Sequence, residues 1–181
     1  NVTILFTDIR GFTSMSENMK PERVVTTLNE YFSDMIDIVF KNNGTLDKII
    51  GDELMVLFGA PLSGDDDTLR AVQTAIEMQK RIKVLNLERK KRKESPILVG
   101  AGINKGLVVS GNIGSRDMMD YTVIGDTVNV ASRLCAAAGP GEILVSKTVY
   151  EEAKETYPLS TLEPIRVKGK AKRVPVFLIK D

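Results

Sequence analysis

Val2-Thr3-Ile4-Leu5-Phe6-Thr7-Asp8-Ile9-Arg10-Gly11 is the stretch on which the fold turns. Residues 2–6 are an apolar, β-forming run closed by Thr7-Asp8, and they read as a short buried strand. Residues 10–14 are polar, contain Gly11, and read as a turn. Pro21-Glu22 then opens a helix, with proline in the first turn where its missing N–H costs nothing. Val24, Val25, Leu28, Phe32, Met35, Ile36 and Val39 recur at helical spacing and predict its core face; Asn42-Asn43-Gly44 ends it. Residues 45–50 and 54–58 flank Gly51-Asp52, which predicts a hairpin with an aspartate at its tip.

Asp65-Asp66-Asp67 place negative charge at the positive end of a second helix, expected to run to about Leu87. Residues 97–104 and 106–113 predict the next strand pair, 121–124 a short strand, and 127–138 a helix closed by Gly139-Pro140-Gly141. A strand at 142–145, a helix at 147–155 and strands near 164–167 and 175–179 complete the chain. Strands and helices alternate irregularly, with several hairpins. That pattern predicts an α+β fold, a mainly antiparallel sheet of about seven or eight strands with helices packed on it.

The 181 residues fit one domain spanning 1–181, and 43% hydrophobic with 27% charged residues is enough to build a core without staples. The single cysteine, Cys135, cannot form an internal disulfide. Histidine is absent, so any general base or metal ligand must be a carboxylate, a hydroxyl, a backbone oxygen or the substrate. The net charge of +1 gives no global pull on nucleic acid. The two basic runs, 89–93 and 166–173, read as solvated faces, and without tryptophan or interleaved aromatics they do not read as a nucleic-acid surface. No apolar run approaches the ~20 residues of a membrane-spanning helix. The chain opens directly in a strand, so a fragment of a longer protein, with sensor or membrane segments outside it, is the expectation.

Asp8 just past one strand and Asp52 at a hairpin tip would meet at one sheet edge if those strands are neighbours. Two carboxylates and a backbone carbonyl suit Mg²⁺, a hard cation that prefers oxygen ligands and keeps substrate phosphates in its shell. Either aspartate alone is also an ordinary turn residue. Asn129 and Arg133, four apart on a predicted helix, share one face. The run Gly100-Ala101-Gly102-Ile103-Asn104-Lys105-Gly106 approaches a dinucleotide fingerprint, but its spacing is wrong and it lies within strands.

Residues 6–13 (Phe-Thr-Asp-Ile-Arg-Gly-Phe-Thr), 47–52 (Asp-Lys-Ile-Ile-Gly-Asp) and 121–134 (Tyr-Thr-Val-Ile-Gly-Asp-Thr-Val-Asn-Val-Ala-Ser-Arg-Leu) together resemble the class III adenylate and guanylate cyclases, in order and spacing, over essentially the whole chain. The resemblance implies a ferredoxin-like βαββαβ core. It also implies that Asp8, Asp52 and the Ile9 carbonyl hold two divalent ions, Mg²⁺ or Mn²⁺, that Asn129 orients the ribose and that Arg133 stabilises charge on the α-phosphate. Lys48 and Thr122 fall at the family's two purine-reading positions. Lysine can only donate, which suits adenine N1, and a threonine hydroxyl can accept from N6. This favours ATP over GTP, and the threonine resembles the class IIIb subgroup. Lys168 and Lys170, astride Gly169, resemble the family's phosphate-contacting lysines, and Arg116 is a further phosphate candidate. All elements lie on one chain, which implies a head-to-tail homodimer with shared active sites. The competing readings are a degenerate, non-catalytic nucleotide-binding dimerisation module and a guanylate or diguanylate cyclase; Ile50 stands where the last of these needs glycine.

Overall fold

The computed structural model describes residues 1–115, 118–166 and 173–180. Its strand β1 (Val2–Ile9) is central, flanked by β3 (Glu53–Phe58) and β4 (Val99–Gly106), both antiparallel to it. The seven-stranded sheet runs β2-β3-β1-β4-β7-β9-β8, adding β2 (Thr45–Ile50), β7 (Ile143–Ser146), β9 (Val176–Ile179) and β8 (Leu159–Thr161). Among the described residues only the β4–β7 pair is parallel. Helix α2 (Pro21–Lys41) connects β1 to β2, and α3 (Asp67–Lys91) connects β3 to β4. The first six core elements therefore run βαββαβ, as expected.

Both faces of the sheet are covered, which is why β1 reads as a continuous apolar run. Leu5 and Ile9 face the layer of α2, α3 and α5 (Lys147–Ala153), where Tyr31, Met35, Val72 and Val149 are buried. Val2, Ile4 and Phe6 face the opposite layer, with Ala131 and Cys135 of α4 (Asp126–Ala137).

The structure corrects several expectations. A short helix α1 (Phe12–Glu17) replaces most of the predicted turn, entered through Gly11 in the left-handed region at φ 70°. The buried residues of α2 are Thr27, Tyr31, Met35 and Val39, while Val25 is 57% exposed. The reason is polar pairing: the Tyr31 hydroxyl bonds Thr7 Oγ1 at 2.9 Å, so a tyrosine is satisfied where a purely apolar reading placed its neighbours. Helix α3 extends a turn beyond Leu87, and the basic run 89–93 is not wholly a solvated face. Arg89 is buried, donating to Glu30 at 2.6 Å and to the Ser95 carbonyl at 2.8 Å, which ties α3 to α2.

Residues 97–104 and 106–113 do not pair with each other. Both edges of β4 are taken by β1 and β7, so β5 (Val109–Ser115) leaves the sheet and forms a separate ribbon with β6 (Met118–Ile124). Near the predicted strand at 164–167 the described residues form only a single bridge, Ile165 to Val174. Among the described residues no helix is long and apolar enough to cross a membrane.

Candidate active site

Strand order brings Asp8 and Asp52 together. Asp8 is the penultimate residue of β1, and Asp52 sits in the β2–β3 turn beside it, with Gly51 at φ 64° closing the hairpin. The Asp52 carboxylate faces Asp8, and the nearby backbone N–H groups of Ile9 and of Asp52 itself favour its charged form. Partial burial and the facing Asp8 charge raise its pKa to about 6. Glu53, the next residue, is raised to about 7 by burial and by the same two aspartates, partly offset by Arg10. Negative charge is thus concentrated at this end of the sheet beyond what the protein neutralises.

A hard divalent cation fits such a donor set. Among the described residues no group of three or more His, Cys, Asp or Glu side chains is arranged to hold an ion.

Two residues here were missed by the sequence reading. Glu53 was visible only as part of the hairpin. Arg10 lies in the quoted signature but had no role assigned. Its guanidinium bonds Asp8 Oδ2 at 2.8 Å and the Asp8 carbonyl at 3.3 Å, and reaches the carbonyls of Cys135 and Ala138 at 3.2 and 3.3 Å. It ties the acid end of β1 to the C-terminal end of α4.

Helix α4 carries Asn129 and Arg133 and lies against β4 because β4 presents glycines to it. A Cβ on Gly102 would collide with the Cys135 backbone nitrogen and stand 2.6 Å from the Ala131 carbonyl; one on Gly100 would stand 2.9 Å from the Ala138 carbonyl. This is what the misleading glycine run does: it lets helix and strand backbones touch. Asn104 donates to the Thr127 carbonyl at 2.9 Å, fixing the other end of the helix. Among the described residues Asn129 and Arg133 make no side-chain hydrogen bond or ion pair, so their polar groups are available to a ligand.

The structure also brings Lys48 and Thr122 together. Thr122 Oγ1 bonds Asp47 Oδ2 at 2.9 Å, and Lys48 Nζ stands 3.3 Å from the same oxygen and 3.9 Å from Asp120. Asp47, the centre of this cluster, was not singled out from the sequence. Lys168, Lys170 and Arg116 lie outside the described residues. Cys135 is buried, its thiol pushed up to about 12 by that burial, and it is unreactive.

A βαββαβ sheet with paired acids at the end of its first strand and an Asn/Arg helix seated on its fourth is the arrangement of a nucleotide cyclase domain. The chain belongs to the adenylate and guanylate cyclase catalytic domain family, whose model matches residues 1–180. It is similar to the adenylyl cyclase CyaB from P. aeruginosa (39% identity, TM-score 0.96, covering 99% of this chain and 93% of that one). It is also similar to the guanylyl cyclase Cya2 (40% identity, TM-score 0.90, covering 98% and 90%). An adenylate cyclase of Anabaena cylindrica is 37% identical over 99% of this chain, which spans only 36% of that protein's length. These relatives divide between two nucleotides, so base choice has to come from the site.

Proposed function

We propose that this domain is an adenylate cyclase, making 3′,5′-cyclic AMP and pyrophosphate from cytoplasmic ATP as a head-to-tail homodimer. The observation that carries the choice of nucleotide is the convergence of Lys48 and Thr122, 74 positions apart in the chain, on one carboxylate beside the β5–β6 ribbon. An ammonium offers only donors, matching adenine N1, and a hydroxyl can accept from the 6-amino group. Guanine presents the opposite pair, and each unmade buried hydrogen bond costs roughly 1–3 kcal/mol.

Asp8, Asp52 and the Ile9 carbonyl are the residues that would hold two divalent ions, Mg²⁺ or Mn²⁺. Such ions, when bound, lower the pKa of the ribose 3′-hydroxyl and neutralise charge on the leaving phosphates. In the reaction the 3′-oxygen bonds to the α-phosphorus, the bond to the β-phosphate bridging oxygen breaks, and the hydroxyl proton leaves to water or a phosphate oxygen. Asn129 would orient the ribose. Arg133 would hold the α-phosphate oxygens, its fixed charge aimed where negative charge grows. Lys168 and Lys170 are assigned to the triphosphate on sequence grounds.

Dimerisation is supported by where these groups stand within one chain. Arg10 anchors Ala138 beside Asp8, and Asn129 lies nine residues earlier on α4, about 14 Å back along the helix at 1.5 Å per residue. Asn129 of one protomer is too far back to serve the acids of the same protomer, and a second copy supplies it. The surface for that copy is apolar: Leu107, Val109, Met119 and Ile124 on and beside the ribbon are each more than half exposed, next to Ile50 on the edge strand β2.

The test is product formation from ATP and from GTP, with Mg²⁺ or Mn²⁺, by the wild type and by Asp52→Ala. Cyclic AMP from ATP, little product from GTP and none from the variant is the expected result. Absence of product from either nucleotide, at concentrations where sedimentation shows the dimer, would sink the catalytic reading.

A further inference from the structure

Asp47 is the residue at which β2 breaks its register. Leu46 pairs with Val56 and Lys48 with Met55, so Asp47 is the extra residue of a β-bulge. In a regular strand neighbouring side chains point to opposite faces, and Asp47 and Lys48 could not share a target. The bulge re-aims them. Both reach the β6 side, Asp47 to Thr122 and Lys48 to Asp120. The Asp47 side chain is only 1% exposed, and its Oδ2 carries both the Thr122 contact and the Lys48 contact.

We propose that Asp47 is a positioning residue that sets purine specificity by fixing the direction of the Thr122 hydroxyl. A carboxylate paired with an ammonium only accepts hydrogen bonds, so the single Thr122 proton must point at Asp47. The hydroxyl's lone pairs then face the base, with no proton to offer it. A free threonine could turn its proton outward and serve the 6-oxo group of guanine as readily as the 6-amino group of adenine. The buried carboxylate removes that choice, and the same oxygen holds the Lys48 stem at the N1 side. Discrimination therefore resides in a three-residue unit of which only two members touch the nucleotide. This inference rests on the proposed reading of adenine by Lys48 and Thr122.

The experiment compares kcat/KM for ATP and GTP in the wild type, Asp47→Asn, Thr122→Val and the double variant, as the dimer with Mn²⁺. The asparagine amide can donate to Thr122 as well as accept from it, so the hydroxyl regains both directions at constant shape. Asp47→Asn is expected to lower the ATP-over-GTP ratio by about tenfold or more, the scale of one misdirected buried hydrogen bond. The double variant should lose no more of the ratio than Thr122→Val does, because Asp47 acts through Thr122. Equal losses for both nucleotides in Asp47→Asn, which a merely structural role gives, would overturn the inference while leaving the adenylate cyclase reading intact. A wild type that prefers GTP overturns both. Should Asp47→Asn fail to fold, Thr122→Ser and Thr122→Val carry the test: serine keeps the ratio and valine loses it, and a valine variant that keeps it overturns the inference.

Discussion

The acid end of β1 and the bulge of β2 both concentrate carboxylates, and they use them in opposite ways. At the acid end Asp8, Asp52 and Glu53 crowd one another; Arg10 pairs with Asp8, and Asp52 and Glu53 are raised well above the usual carboxylate range. At the bulge Asp47 is almost fully buried but has a hydroxyl and an ammonium on one oxygen. The first group is under-neutralised and suits an incoming cation. The second is satisfied within the chain and suits holding other residues still. Partnering, more than burial, separates a ligand site from a positioning site.

The largest effect that can break this contrast is Asp52→Ala. Cyclic AMP formation should fall by about a thousandfold or more, as expected when a group stabilising the transferring phosphoryl is lost. The melting temperature of the ion-free domain at pH 7.5 should nonetheless stay level or rise, because a repelled carboxylate has gone. Calorimetry showing a large fall would place Asp52 with Asp47 as a structural residue.

Gly102→Val should come next. The added side chain must displace α4 from β4, and overpacking of this kind costs typically 1–3 kcal/mol. Activity should drop more than stability does, since Arg133 moves with the helix; a denaturant melt and a turnover assay on the same sample read both. Asp47→Ala should destabilise by about 1–3 kcal/mol, the range for leaving a buried hydroxyl and a partly buried ammonium without their acceptor. Urea unfolding of Asp47→Ala beside Asp52→Ala shows whether the two carboxylates differ in sign.

The smallest effect is a pH slope. Asp52 and Glu53 have folded pKa values above their ordinary ones, about 6 against 3.8 and about 7 against 4.5. The folded state therefore binds more protons, and their contribution to stability is fully present below about pH 4 and is lost as pH rises through 6 to 7. The melting temperature of the ion-free domain should decline across that window relative to a variant carrying Asp52→Asn and Glu53→Gln. Millimolar Mn²⁺ should flatten the decline. A slope unchanged by the ion would count against an ion site at these acids.

The pattern of residues carried far in the regular elements. The run 2–6, the hairpin around Gly51-Asp52 and the helix opened by Pro21 all stand where periodicity and turn chemistry put them, because each depends on neighbours within a few positions. The face of α2 was only partly placed: Met35 and Val39 are buried and Leu28 and Phe32 pack on the core, but Thr27 and Tyr31 were passed over, and it is the tertiary contact to Thr7 that satisfies the buried Tyr31 hydroxyl. The strand pair expected from 97–113 failed for a similar reason: which strand fills an edge is decided by β1 and β7, distant in sequence.

By itself the sequence determined the order of the elements from β1 to α5 apart from the short α1, the absence of histidine and of an internal disulfide, and the three motifs that contain the paired acids, Lys48 and Thr122, and the Asn/Arg helix. These are properties of residue type and short spacing. Only the tertiary structure decided that Arg10 ties Asp8 to α4, that the glycines of β4 exist to seat that helix, and that a bulge turns Asp47 toward Thr122. Each of those depends on the packing of segments 30 to 130 positions apart, where side-chain direction follows from register and close contact and leaves no local mark in the chain.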